Sequence, residues 1–242
     1  MKLYFLSIVP IVMSLLLIYL FPLDNLLPII IFWFFLSYLF LRTVFKGEIQ
    51  VMMDYKKGSK WGIFSSYLLV HYLVYSVAII ELLTYIYKPI TVNSQTPFIS
   101  VFSTPFGSTP SLPNFGLSLL FNPTVTAFIP PNIVIELSLY SIAMGLYIAI
   151  LVTSSLITII SINKKFKYFA FIPLIGIIAG ASCCVSIPVL LAESLELSNI
   201  VFLSTTAWQA IFIAYVSLPI LTVAFLKHLS SSLLKVRSKL VR

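Results

Sequence analysis

A chain of 242 residues that is 60% hydrophobic and 9% charged has too few polar side chains to cover a water-facing surface. Soluble domains carry about 25% charged residues. The net charge of +8 would suggest nucleic acid in a soluble protein, but it is confined to the flanks of apolar runs, which favours topogenic charge and excludes nucleic acid as the expected partner.

Spans are sought as runs of about 20 apolar residues, enough to cross a hydrocarbon core of about 30 Å. The first, 3–22, follows Lys2 and resembles a signal peptide, but no A-x-A-like cleavage site follows it, so it reads as a retained span. Span two is 27–45, after a tight turn at Asp24-Asn25. Its rings (Phe32, Trp33, Phe34, Phe35, Tyr38, Phe40) surround the helix and predict a peripheral, lipid-facing element.

A short charged segment, 46–61, leads to span three at 62–87. The segment 88–131 then departs from the rest: it holds eight of the fourteen prolines and six phenylalanines, and its only charge is Lys88. A disordered loop is rich in charge and poor in rings. An ordered exterior cap is therefore expected, with short extended pieces such as Phe98 to Phe102. Span four is 132–162, span five 168–192 and span six 200–226. The tail 227–242 has Leu229, Leu233, Val236 and Leu240 at helical spacing, interleaved with Lys235, Arg237, Lys239 and Arg242. It reads as an amphipathic helix on lipid headgroups.

Fourteen of the fifteen Lys and Arg residues fall in the gaps of one side. Basic residues are retained in the cytoplasm, so both termini are expected inside. The fold class that follows is an all-α integral membrane bundle of six transmembrane helices in the cell membrane. It carries an ordered cap between helices 3 and 4 and a C-terminal surface helix.

Small residues recur every four positions in span four, at Ser141, Gly145, Ala149 and Thr153, and in span five at Gly176, Gly180 and Cys184. Such faces let helices approach closely, so spans four and five are expected to pair. Gly180-Ala-Ser-Cys-Cys-Val-Ser-Ile-Pro188 is the most distinctive string. Pro188 has no N–H, so the Cys184 carbonyl loses its helical donor. Adjacent cysteines cannot form an unstrained disulfide. Inert packing and a soft-metal or redox site at Cys183 and Cys184 both remain open, since thiolates prefer such metals while an apolar setting raises a thiol's pKa. Over these nine residues the string resembles the vicinal cysteine pair in the first membrane span of bacterial mercuric-ion uptake proteins.

His71 is the one histidine inside a span, which argues against a self-contained cytochrome b. It either hydrogen-bonds a neighbouring helix, aided by Tyr67 or Tyr75 one turn away, or joins a haem shared with another subunit. Glu81 and Glu136 interrupt apolar runs near the outer ends of spans three and four, and Gln209 with Thr205 and Thr206 sits at similar depth in span six. These can line an outward polar pocket, since embedded carboxylates mark pathways or buried partners. No phosphate loop, H-E-x-x-H pair or G-x-S-x-G elbow occurs, so catalysis is not expected and no cofactor is required; a soft metal or a shared haem are the candidates.

Three functions follow. The first is a non-catalytic membrane subunit of a respiratory or export complex, meeting other subunits through the cap 88–131 and helix 2. The second is a carrier of a small solute, a proton or a soft metal. The third is a haem- or quinone-associated redox subunit. Beyond lipid, other membrane subunits are the expected partners. The richness in Ile, Leu, Tyr and Ser also resembles membrane proteins of acid- and heat-loving archaea.

Overall fold

The first two elements form because their apolar runs carry no charge between Leu3 and Leu20 or between Leu26 and Leu41. In the computed structural model, which describes residues 2–21, 26–55, 59–72, 96–103, 112–129, 133–162 and 205–240, they are helices α1 (Lys2–Leu20) and α2 (Leu26–Thr43). The described chain is mostly helical. In order follow α3 (Lys46–Asp54), α4 (59–72), β1 (Phe98–Phe102), α5 (Leu112–Phe121), β2 (Thr124–Ile129), β3 (Ile133–Ser138), α6 (Leu139–Ile162) and α7 (Thr205–Leu240). Among the described residues, three helices are long and apolar enough to cross a membrane: Leu26–Thr43, Leu139–Ser161 and Val216–Arg237.

The chain divides into two compact units. The first holds α1, α2, β1, α5, β2, β3 and the first turn of α6; the second holds α3, α4, the rest of α6 and α7.

In the first unit, α1 turns a narrow stripe inward at Ser7, Ser14 and Ile18 and packs against α2. Two serines on that stripe keep the helices close. On α2 the buried set is Ile29, Phe32 and Trp33, the i, i+3, i+4 face of a helix. The rings of α2 therefore do not simply surround it: Phe34 is exposed, while Trp33 donates from Nε1 to the Leu119 carbonyl of α5 at 2.9 Å and meets the Tyr140 ring edge-on at 5.6 Å. Tyr19 of α1 meets Phe115 of α5 edge-on at 6.2 Å.

The segment expected to be an ordered cap supplies β1 and β2 of a three-stranded antiparallel sheet in the order β1-β2-β3, with Val101 opposite Val125 and Thr126 opposite Glu136 of β3. This departs from the all-α expectation. It also shortens span four, whose first residues, 133–138, are strand. The reason is local: Ile133, Val134 and Ile135 are β-branched and favour a pleated surface. Ser138 then starts the helix, its Oγ accepting the Ser141 N–H at 3.2 Å in the manner of an N-cap.

In the second unit, α6 is buried all round from Tyr147 to Ser155, as befits a helix apolar on every face. The stripe Pro219, Thr222, Leu226 and Ser230 of α7 is buried, whereas Leu218, Ile220, Leu221 and Phe225 are exposed. No break separates the sixth span from the tail: α7 continues to Leu240, so the expected surface helix is the last part of one long helix.

Candidate functional site

The polar groups of the second unit gather around α3 and the middle of α7. Glu48, in the first turn of α3, is fully buried, and both its oxygens accept from Lys227 Nζ at 2.7 Å. A carboxylate near a helix N-terminus also gains from the helix dipole. Lys227 keeps 30% of its side chain exposed. Its ammonium lies 5.8 Å from the centre of the Phe45 ring, and that ring stacks on Tyr147 of α6 at 5.1 Å. Gly47 faces the same helix a little further on, where an added Cβ would touch Leu234 at 3.9 Å. The pair thus ties α3 to α7.

Lys60, at the start of α4, is also buried, and its Nζ donates to the Met53 carbonyl at 2.8 Å. This ties the start of α4 to the end of α3. Further along α4, His71 is fully buried, with Nδ1 3.5 Å from Tyr67 Oη and its ring edge-on to Tyr72 at 5.2 Å. Tyr67 lies one turn before His71 on the same helix.

A run of hydroxyls coats α6. Ser154 Oγ lies 3.2 Å from Ser230 Oγ of α7, and Thr158 Oγ1 donates to the Ser154 carbonyl at 2.8 Å. Thr153 Oγ1 and Ser155 Oγ are buried without a hydrogen-bond partner among the described residues. Beside this run, an open groove of about 580 Å³ follows one face of α4, lined by Ser59, Gly62, Ile63, Ser66, Tyr67 and Val70, with Leu156 of α6 as its far wall.

Of the residues singled out by sequence, Ser141, Gly145, Ala149 and Thr153 are all buried. Gly145 abuts Tyr72: a Cβ there would collide with the phenol oxygen and stand 2.8 Å from Cζ. Glu136 lies on β3 rather than on a helix. Thr205 and Gln209 lie in the first turns of α7, and Lys235 and Arg237 in its last part. The side chains of Glu136, Thr205, Gln209 and Lys239 lie outside the described ones, as do residues Glu81, Gly176, Gly180, Cys183, Cys184 and Arg242, residues 73–87 of span three and all of span five. Among the described residues no group of three or more His, Cys, Asp or Glu is placed to hold a metal.

Sequence reasoning missed the Glu48–Lys227 pair and the anchoring role of Lys60. The available signal was an acid, Glu48, standing alone among the basic residues of the segment 42–50. No protein-family model matches the chain, and no curated protein or solved structure matches it either.

Proposed function

We propose that the chain is an integral membrane protein of six spans in the cell membrane, with both termini cytoplasmic. Its role is that of a non-catalytic subunit of a larger membrane assembly of the respiratory or export kind. One observation carries the subunit role. On β1, an outer strand of the described sheet, Ile99 and Val101 are 77% and 61% exposed and share a face. The strand itself, Phe-Ile-Ser-Val-Phe, has no Lys or Pro. Natural sheets blunt such apolar edges with charge, proline or a cover. An extended segment of a neighbouring subunit, adding along β1 and covering Ile99 and Val101, supplies the cover.

The test is native purification with and without Ile99→Lys plus Val101→Lys. A stoichiometric membrane partner is expected with the unaltered chain and is lost from the double variant, which stays in the membrane. A chain that purifies alone, remains monodisperse and moves an ion in liposomes overturns the subunit role.

The two unpartnered hydroxyls of α6 favour a second reading, a carrier of a small solute, a proton or a soft metal, because buried hydroxyls in an apolar helix attract water or a polar solute. In that reading Cys183, Cys184 and the pocket candidates Glu81, Glu136, Gln209 and Thr205 handle the cargo.

A further inference from the structure

We propose that the groove on α4 holds one anionic phospholipid of the inner leaflet, its acyl chain along the helix and its phosphate at the Ser59 end. The inference rests on the membrane reading above.

The face is built by the sequence spacing. Ser59, Gly62, Ile63, Ser66, Tyr67 and Val70 follow the i, i+3, i+4, i+7 rule, so they line one side of the helix. Three of the six are small, which hollows that side, and Leu156 closes it. From Ser59 to Val70 the groove runs eleven residues, or about 16 Å at 1.5 Å per residue. That is about half of a 30 Å hydrocarbon core, the depth of a single leaflet. An apolar channel of this length, open to its surroundings, matches one lipid tail and is too short for a spanning helix.

The Ser59 end carries the marks of an interface. Trp61 is exposed and meets Phe64 edge-on at 6.0 Å, and tryptophans collect at the headgroup level. In sequence, Lys56 and Lys57 stand three and two positions before Ser59, against a single acid, Asp54. Lys60 is committed to the Met53 carbonyl. The sequence just before Ser59 thus carries two positive charges suited to a phosphate bearing a net negative charge, and the hydroxyl of Ser59 can donate to it. Deeper in, the described lining is apolar apart from Ser66 and the buried Tyr67. One charged end and one apolar end are the two halves of a phospholipid.

Gly62 gives a clean test, because a Cβ added there meets nothing within 4 Å. Gly62→Phe therefore directs a ring along the groove from a position where the Cβ itself meets no protein. The chain is purified in mild detergent and placed in nanodiscs of equal parts phosphatidylglycerol and phosphatidylcholine. Retained lipid is then counted by native mass spectrometry after detergent exchange. One phosphatidylglycerol per chain is expected, with at least a fivefold loss in Gly62→Phe and none in Ile220→Phe, an exposed α7 position used as control. A lysine near an anionic surface contributes about fivefold, so Lys56→Gln plus Lys57→Gln should abolish the preference for phosphatidylglycerol. Equal retention of both lipids by the unaltered chain, unchanged retention in Gly62→Phe, or a protein helix seated there in place of lipid overturns the proposal while the membrane reading stands. Release of the chain from membranes by alkaline carbonate overturns both.

Discussion

Glu48 and Lys227, 179 positions apart, are joined by two 2.7 Å contacts from one ammonium to both oxygens of one carboxylate. The two partners are not equivalent, since Glu48 is fully buried and Lys227 is 30% exposed. Removing the lysine leaves a buried charge with no counter-ion, whereas removing the acid leaves a lysine that still reaches solvent. Lys227→Ala is therefore expected to cost about 3–5 kcal/mol, the range for orphaning a buried ion. Glu48→Ala should cost clearly less. Glu48→Leu combined with Lys227→Met should recover most of the loss. Unfolding free energies in detergent, combined as a double-mutant cycle, give the comparison; equal costs for the two single variants would contradict the asymmetry.

Gly145 and Tyr72 make a steric pair. Because a Cβ at 145 overlaps the phenol, Gly145→Ala should destabilise by about 1–3 kcal/mol, the range for overpacking. Truncating the ring as Tyr72→Leu should return part of that loss in the double variant. Thermal denaturation followed by helical circular dichroism measures both.

The hydroxyls of α6 should respond in opposite directions. Ser154 shares a bond with Ser230, so Ser154→Ala should cost about 1 kcal/mol. Thr153→Val and Ser155→Ala remove groups that have no described partner, so each should be neutral or stabilise by up to about 1 kcal/mol. A loss of stability in these two variants would instead locate a bound water or solute on that face, favouring the carrier reading.

Two local devices hold the first unit. Ser138→Ala removes the side-chain acceptor at the start of α6 and should cost about 1 kcal/mol. Trp33→Phe removes the 2.9 Å bond to the Leu119 carbonyl and should cost about 0.5–1.5 kcal/mol, with a marked loss of near-ultraviolet dichroism. A Trp33→Phe spectrum identical to the original would place that indole outside the packed core.

The sequence readily yields helices whose ends coincide with a change in charge or with a turn. Span two was expected at 27–45 and lies at Leu26–Thr43, because Asp24-Asn25 precedes it and Arg42 stands in its last turn. Hydropathy says nothing of the start of α6, because Ile133-Val134-Ile135 is as apolar in a strand as in a helix. What separates the two is β-branching followed by the Ser138 cap. Glu48 stands out as a lone acid, but its pairing with Lys227 is not legible in sequence, because each looks like ordinary charge at a helix end until the fold brings α3 against α7. The burial of the Ser141–Gly145–Ala149–Thr153 face follows directly from its spacing, whereas the collision partner Tyr72 comes from a distant stretch with no matching pattern.

Continuity of α7 through residues 205–240 has a consequence of phase. A helix turns by about 100° per residue, so the azimuth of Lys235 and Arg237 is set by the buried stripe Thr222, Leu226 and Ser230. One alanine inserted after Ser230 swings the basic face through about 100°, whereas seven inserted residues restore it to within about 20°. The last turns of α7 are thus geared to its buried stripe, and the bearing of their basic residues is inherited from packing several turns away.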